Sequence, residues 1–135
     1  MNRGAQTNMP HQFQKHYTRD EARALLPQLR EWLKRLGRLK TEQERSDKRL
    51  ASLAQPGHDL GGQLVNSSIR TLAELQEILA EFQRREIFIK DLERGLLDFP
   101  AIIGGREVFL CWEQDEEDIE HWHDLDAGYA GRERL

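Results

Sequence analysis

The sequence predicts an α+β fold, in which a long antiparallel helical hairpin with coiled-coil-like spacing is followed by a small antiparallel β-meander. Two observations lead to this prediction. Apolar residues recur at alternating intervals of three and four as far as Phe82, which is the period of an amphipathic helix. After Arg85 this period gives way to short β-prone runs separated by glycine and proline.

Length and composition favour one folded domain. The chain has 135 residues, 38% of them apolar and 33% charged, which is a composition that can form a core. The formal charge of -4 argues against a general nucleic-acid binder, which needs a basic surface. Cys111 is the only cysteine, so no intrachain disulfide can form, and no apolar run approaches the length of a membrane span. We therefore expect a cytoplasmic protein.

The first helix is predicted to begin near Thr18, after a flexible leader over residues 1–14 to which we assign no function. A single domain is expected over residues 15–135, with the hairpin at about 18–86. Thr18 and Glu21 have the spacing of a capping box, which marks a helix start, and Pro27 should kink the helix that follows. The predicted seam of this helix consists of Ala22, Leu25, Leu29, Trp32, Leu36, Leu39, Leu50 and Leu53.

A second helix is predicted after the glycine-rich turn at residues 55–62, with its N-cap at one of Asn66, Ser67 and Ser68. Two helices with one apolar stripe each cannot bury both flanks of a hairpin. The hairpin should therefore pack on the C-terminal part, on a second copy, or on both. We expect a homodimer, and the helical arm could also bind another protein. The predicted stripe of the second helix consists of Ile69, Leu72, Leu75, Ile78, Leu79 and Phe82.

The β-meander is predicted over about residues 87–126, with three or four strands and a C-terminal loop after it. The strongest strand runs from Arg106 to Glu113 and the next from Ile119 to Asp124. Gly104 and Gly105 mark a tight turn before the first of these. Pro100 disfavours a central strand, because it has no N–H to donate.

Several motifs resemble one known family. The helix start YTRDEARALLP is followed downstream by KDLERGLLDFP, EVFLCW and EHWHDLDAGYAGR. Together these segments are similar to the bacterial family catalogued as domain of unknown function 2203, over nearly the whole chain after the leader. The family has no assigned activity, so the resemblance implies a compact cytoplasmic bacterial protein and no catalytic residue. The positions that match its pattern are Asp91, Glu93, Asp98, Cys111, Trp112, His123, Asp124, Asp126 and Arg132.

The residues of the last strand predict a candidate metal site. His121 and His123 are two apart, so on a strand both imidazoles point to one face. Cys111 could supply a thiolate, and such a ligand set suits a divalent transition metal such as zinc. An alternative is that Cys111 acts as a nucleophile with His123 as its base. A purely structural interpretation is that the histidines form hydrogen bonds with neighbouring carboxylates at the rim of a sheet.

Strand register decides whether these residues can meet. If Glu113 lies opposite Ile119, Cys111 faces His121 across the ladder and shares its face. A slip by one residue puts them on opposite faces and sets Trp122 opposite Phe109. The sequence leaves both registers open.

Two functional hypotheses from different classes follow. The first is a non-catalytic interaction or regulatory module that self-associates through its hairpin. The second is a metal- or anion-binding protein, in one form a metal-dependent hydrolase, with its site in the C-terminal WHDLD region. Candidate ligand-binding residues for the second hypothesis are Asp98, Trp112, Asp126 and Arg132, and its candidate metal ligands are His121, His123 and Cys111.

Overall fold

The computed structural model describes residues 10–54 and 62–135, and it confirms the α+β prediction. Two helices come first, and a five-stranded antiparallel sheet follows in the order β1-β2-β3-β4-β5. No helix within the described ranges is long and apolar enough to cross a membrane. The elements are α1 (Arg19–Leu53), α2 (Gly62–Arg84), β1 (Phe88–Asp91), β2 (Leu96–Ile103), β3 (Arg106–Glu113), β4 (His121–Asp124), a 3-10 helix (Tyr129–Gly131) and β5 (Glu133–Arg134).

The chain divides into two compact units, which we describe separately. Of the described residues, one unit contains 10–25 and 85–135, and the other contains 26–54 and 62–84. The first therefore holds the sheet and the start of α1. The second holds the helical hairpin.

The predicted capping box starts α1. The N–H of Glu21 donates to the Thr18 hydroxyl at 3.1 Å, and the N–H of Thr18 donates back to the Glu21 carboxylate at 2.9 Å. The helix then continues without interruption through Pro27. Its buried positions differ from the predicted seam, because Leu25 and Trp32 are only half-buried. The buried apolar residues are Ala22, Leu26, Leu29, Leu33, Leu36 and Leu39.

Helix α2 runs antiparallel to α1, as the pattern predicted. Trp32 packs on Phe82 with ring centroids 5.6 Å apart, whereas Gln43, further along α1, donates to Ser68 near the start of α2 at 3.1 Å. The predicted N-cap at 66–68 is wrong, because α2 already begins at Gly62. Ser68 lies within the helix and is buried. Residues 55–61 of the predicted turn lie outside the described part of the chain, and its last residue, Gly62, is the first residue of α2.

The apolar stripe predicted for α2 is split in the structure. Ile78 and Phe82 are buried, as expected. Ile69, Leu72 and Leu79 are 59%, 45% and 44% exposed. The sequence analysis assigned residues from two faces of α2 to one stripe, because consecutive residues are separated by only about 100° around a helix. Large aliphatic side chains therefore remain open on one side of α2.

The sheet is a meander of neighbouring strands joined by short turns. Ile103 pairs with Arg106 across the predicted glycine turn, in which Gly104 and Gly105 have φ angles of 59° and 76°. Positive φ at both central residues is what a tight β-hairpin turn requires. The prediction of a loop after β4 is wrong in part. A 3-10 helix and the two-residue strand β5 form there, and they make the sheet five-stranded.

Pro100 lies inside β2, the second strand of the sheet, where the sequence disfavoured a central strand. The pairing of β1 with β2 ends at Asp98, so Pro100 lies beyond the end of β1. Its carbonyl accepts the N–H of Tyr17 at 2.7 Å. The N and C=O of one residue point to the same side of a strand, so the nitrogen of Pro100 also faces away from β3. The lack of an N–H therefore removes no hydrogen bond between β2 and β3. Tyr17 thus occupies the edge position that β1 leaves.

The segment before α1 is held on the sheet unit by carboxylates that accept its backbone N–H groups. Glu107 on β3 accepts from Gln12 at 2.8 Å and from Phe13 at 3.1 Å. Glu86, which has a φ of 54°, accepts from Gln14 and Lys15 at 2.9 and 2.6 Å. The segment from residue 12 to residue 17 therefore has its own set of polar anchors.

Candidate functional site

Strand register brings the predicted site residues to one face of the sheet. Asp98 on β2 lies opposite Cys111 on β3, and Cys111 lies opposite His121 on β4. His123, two residues after His121, points to the same face. Of the two registers that the sequence left open, the structure has the one in which Cys111 and both histidines share a face.

Asp98, Cys111 and His123 form a buried polar cluster. Their ligand-type atoms all lie within 4.8 Å of one another, and the residues are 2%, 0% and 3% exposed. Nε2 of His123 is 3.0 Å from Oδ2 of Asp98, and Nδ1 of His123 is 2.7 Å from the carbonyl oxygen of Asp124. This group, which we call the Asp98 cluster, combines candidates that the sequence had assigned to two separate sets.

The hydrogen bonds of His123 constrain where its protons lie. A carbonyl oxygen can only accept, so Nδ1 must carry a hydrogen and donate to Asp124. Nε2 then either donates to an ionised Asp98 or accepts from a protonated one. In both cases one proton lies between the imidazole and the carboxyl group. The arrangement therefore works as a proton-holding pair with a fixed ring orientation.

Burial changes the pKa of the carboxyl group in this pair. Removal from water raises the pKa of Asp98 above its usual 3.8, although the charge of His123 and its hydrogen bond act in the opposite direction. Oδ1 of Asp98 is buried and receives no hydrogen bond within the described residues. An ionised carboxylate with one unsatisfied oxygen is unfavourable in such a place. Asp98 therefore favours the protonated form more strongly than an exposed aspartate does.

The thiol of Cys111 is not activated. Burial, together with the negative charge of Asp98, raises its pKa to about 12, and Arg132 only partly opposes this. A catalytic thiolate needs a lowered pKa and access for its substrate. Cys111 has neither, so the hypothesis of a cysteine nucleophile finds no support in this geometry.

Arg132 and His121 meet at an acid that the sequence analysis did not single out. Both terminal nitrogens of Arg132 donate to the Glu116 carboxylate, at 2.8 and 3.3 Å. Nδ1 of His121 lies 3.5 Å from the same carboxylate. Arg132 also reaches the sulfur of Cys111 at 3.9 Å. Glu116 lies in the acidic turn between β3 and β4, where it resembled any solvated acid.

The remaining predicted residues contribute no side chain to the Asp98 cluster. Trp112 is fully buried and points to the opposite face from its neighbour Cys111, where its indole N–H donates to the carbonyl of Glu116 at 2.9 Å. Asp126 is exposed. Asp124 pairs with Arg106 at 2.9 Å.

A comparison with known families shows to which family the chain belongs. The model of a family described as "Uncharacterized conserved protein (DUF2203)" matches residues 15–135. The chain belongs to this family. No curated protein and no solved structure matches it.

In this member of the family, the closing residues of the matched region hold the C-terminal tail in place. The guanidinium groups of Arg94 and Arg132 lie 4.2 and 4.3 Å from the ring centroid of Tyr129. Such contacts stabilise by cation–π attraction. Arg94 also donates to Glu113 at 2.8 Å. The sequence singled out Arg132 but gave no sign that Tyr129 would lie against it.

Substitution of Asp98 tests the proton-holding pair. Asp98→Ala leaves the buried His123 nitrogen without a partner, which should lower the free energy of unfolding by about 1–3 kcal/mol, with a further loss from the cavity. Asp98→Asn supplies an N–H to a neutral His123 and should cost less. Urea denaturation of the three proteins measures this order.

The pH dependence of folding stability provides a second test of the Asp98–His123 pair. The raised pKa of Asp98 means that the unfolded chain loses this proton first, so the contribution of Asp98 to stability falls as the pH rises from 3.8 through its raised pKa. The asparagine variant lacks this loss. Its stability relative to wild type should therefore increase between pH 3.8 and neutrality, and a constant difference would contradict the assignment.

Thiol chemistry tests the burial of Cys111. With its pKa raised to about 12 and its side chain excluded from water, the thiol should react with a disulfide reagent only when the protein unfolds. We expect one thiol to react at once in denaturant and far more slowly in buffer. Equal rates in the two conditions would show that the thiol is accessible in the folded protein.

Proposed function

We propose that the protein is a non-catalytic interaction module that self-associates through the exposed face of α2. The observation that carries this proposal is the exposure of Ile69, Leu72 and Leu79 on one helix of a hairpin whose other face is buried. Large aliphatic side chains clustered on a surface commonly mark a protein–protein contact.

The spacing of this face is that of a coiled-coil seam. Val65, Ile69, Leu72, Gln76 and Leu79 follow one another at intervals of four, three, four and three, which are the a and d positions of a heptad repeat. We call this set the α2 seam. Its repeat fits a helical partner rather than a strand or a small molecule.

A second copy of the same helix fits the seam best. In an antiparallel pair around a twofold axis, Leu72 of one copy lies opposite Leu79 of the other, and the axis passes beside Gln76. A side-chain amide both donates and accepts, so two copies of Gln76 can bond to each other at the axis. A single polar residue at an a position is known to fix register and partner number. Gln76 lies between Leu72 and Leu79, so its place at the axis suits an isologous contact.

The Asp98 cluster supports a non-catalytic role. Its three residues are buried, and its only thiol has a raised pKa. A buried histidine–carboxyl pair of this kind can serve to fix the register of the strands that carry it. The buried free thiol also favours a reducing compartment, and we place the protein in the cytoplasm on that ground.

A charge in the α2 seam should separate the copies. Leu72→Glu puts a carboxylate at a contact that would otherwise be apolar, so we expect the variant to run as a monomer where wild type runs as a dimer. Light scattering after size-exclusion chromatography measures the mass. Ser67→Glu is the matched control, because Ser67 is exposed on the same helix but lies away from the seam.

A dimer in wild type and in Ser67→Glu, but not in Leu72→Glu, supports the proposal, provided circular dichroism shows equal helix content. A wild-type monomer at high concentration would contradict it.

A second candidate function is metal binding at the Asp98 cluster. The unsatisfied Oδ1 of Asp98 favours it, since a cation would supply the missing partner. The hydrogen bond from Nδ1 of His123 to a backbone carbonyl is also the outer-shell contact that metal-bound histidines usually make. The guanidinium of Arg132, 3.9 Å from the sulfur, acts against a second cation there. We rank this function below self-association for that reason.

Cobalt spectroscopy tests the second candidate. Co²⁺ bound through a cysteine gives a strong sulfur-to-metal absorption band, which sites without sulfur lack. If the cluster binds metal, wild type should show this band and Cys111→Ser should lose it. Absence of the band in saturating Co²⁺ would dismiss the Asp98 cluster as a metal site.

A further inference from the structure

We propose that His11, His16 and Glu107 form a binding site for a divalent transition metal ion such as Zn²⁺, distinct from the Asp98 cluster. The two histidines lie in the segment before α1, and the glutamate lies on β3. Their ligand-type atoms are all within 4.8 Å of one another. We call this group the His11 site.

The three side chains are already arranged around a common point. Nε2 of His16 is 2.7 Å from Oε2 of Glu107, and the rings of His11 and His16 meet edge to face with centroids 4.9 Å apart. Two ligands of a tetrahedral zinc ion, each about 2.1 Å from the metal, are separated by about 3.4 Å. A shift of less than about 1 Å in the His16–Glu107 contact would admit the ion.

Backbone contacts prepare the carboxylate for this role. Besides His16, Glu107 accepts the N–H groups of Gln12 and Phe13, so its orientation is fixed before any ligand arrives. Burial alone would raise the pKa of Glu107, but the hydrogen bonds from His16 and these two amides outweigh it and lower the pKa. The group is therefore ionised at neutral pH, as a metal ligand must be.

A hydrogen bond between His16 and Glu107 would by itself explain only two of the three residues. His11 makes no hydrogen bond within the described part of the chain, and it is exposed. Its ring nevertheless lies against His16 with its ligand atoms near the same point. Two imidazoles and one carboxylate form a common ligand set for zinc and other first-row metals.

Access separates the His11 site from the Asp98 cluster. His11 is open to solvent, so an ion can enter and water or another ligand can take the remaining position. Within the described residues no arginine donates to Glu107, whereas Arg132 approaches Cys111 in the other cluster. The His11 site therefore lacks the nearby cation that opposes metal at Asp98.

Metal at this site would tether the segment before α1 to β3. Phe13 of that segment packs against Phe88 and Phe109, with centroids 5.2 and 5.3 Å away. An ion bound by His11, His16 and Glu107 would close the segment over these rings at both ends. Lys15 is exposed between the two histidines, so trypsin cleavage after it reports how firmly the segment is held.

Titration with Zn²⁺ tests the His11 site directly. Tag-free protein, cleared of metal with chelator, should bind one equivalent in calorimetry, and His11→Ala should weaken the affinity at least about ten-fold. Gln14→Ala, in the same exposed segment, is the matched control and should bind like wild type. Bound Zn²⁺ should also slow the cleavage after Lys15 in wild type but not in His11→Ala, with the products identified by mass spectrometry.

Two results would overturn the proposal. One is the absence of saturable Zn²⁺ binding by wild type. The other is binding that His11→Ala leaves unchanged and Cys111→Ser abolishes, which would place the metal at the Asp98 cluster. Co²⁺ separates the sites independently, because the His11 site contains no sulfur and gives no sulfur-to-metal band. The proposal does not depend on self-association, which Leu72→Glu tests.

Discussion

The register of β2, β3 and β4 is the constraint on which the polar interior of this protein depends. Because Asp98 lies opposite Cys111 and Cys111 opposite His121, one face of the sheet receives a carboxyl group, a thiol and two imidazoles. A shift of one strand by a single residue would turn all of its side chains to the other face. The bond from His123 to Asp98 penalises such a shift, since it would leave both buried groups unpaired. The pair and the register therefore stabilise each other.

The two groups of metal-ligand type show how burial decides the chemistry of similar residues. In the Asp98 cluster, exclusion of water raises the pKa of both the acid and the thiol, which favours their protonated forms. At Glu107 the burial is offset by two backbone amides and an imidazole, and the acid stays ionised. A carboxyl group beside a histidine thus shares a proton with it in the Asp98 cluster, whereas Glu107 is an anionic group that can act as a ligand. The balance between burial and the surrounding hydrogen bonds, rather than residue type, makes this difference.

Much of the fold could be predicted from local patterns, because those patterns have local causes. The Thr18–Glu21 box, the glycine turn before Arg106 and the strand to Glu113 are each specified by a few adjacent residues. The Asp98 cluster was predicted only as a set of alternatives, since periodicity cannot fix strand parity. Glu116 escaped notice because it lies among other acids in the turn between β3 and β4, and His11 because Glu107 is far away along the chain. The exposed side of α2 was missed because hydropathy alone cannot tell a core stripe from an interface stripe.

The anchoring of the segment before α1 has a consequence for the order in which the chain folds. Strands β2, β3 and β4 pair with sequence neighbours, and such local contacts form quickly. Gln12 and Phe13 instead bond to Glu107, 95 and 94 residues away, and Lys15 bonds to Glu86, 71 residues away. Closing so long a loop is entropically costly until the sheet exists. The segment before α1 is synthesised before the sheet, yet it is expected to reach its place only after β3 has been synthesised and paired.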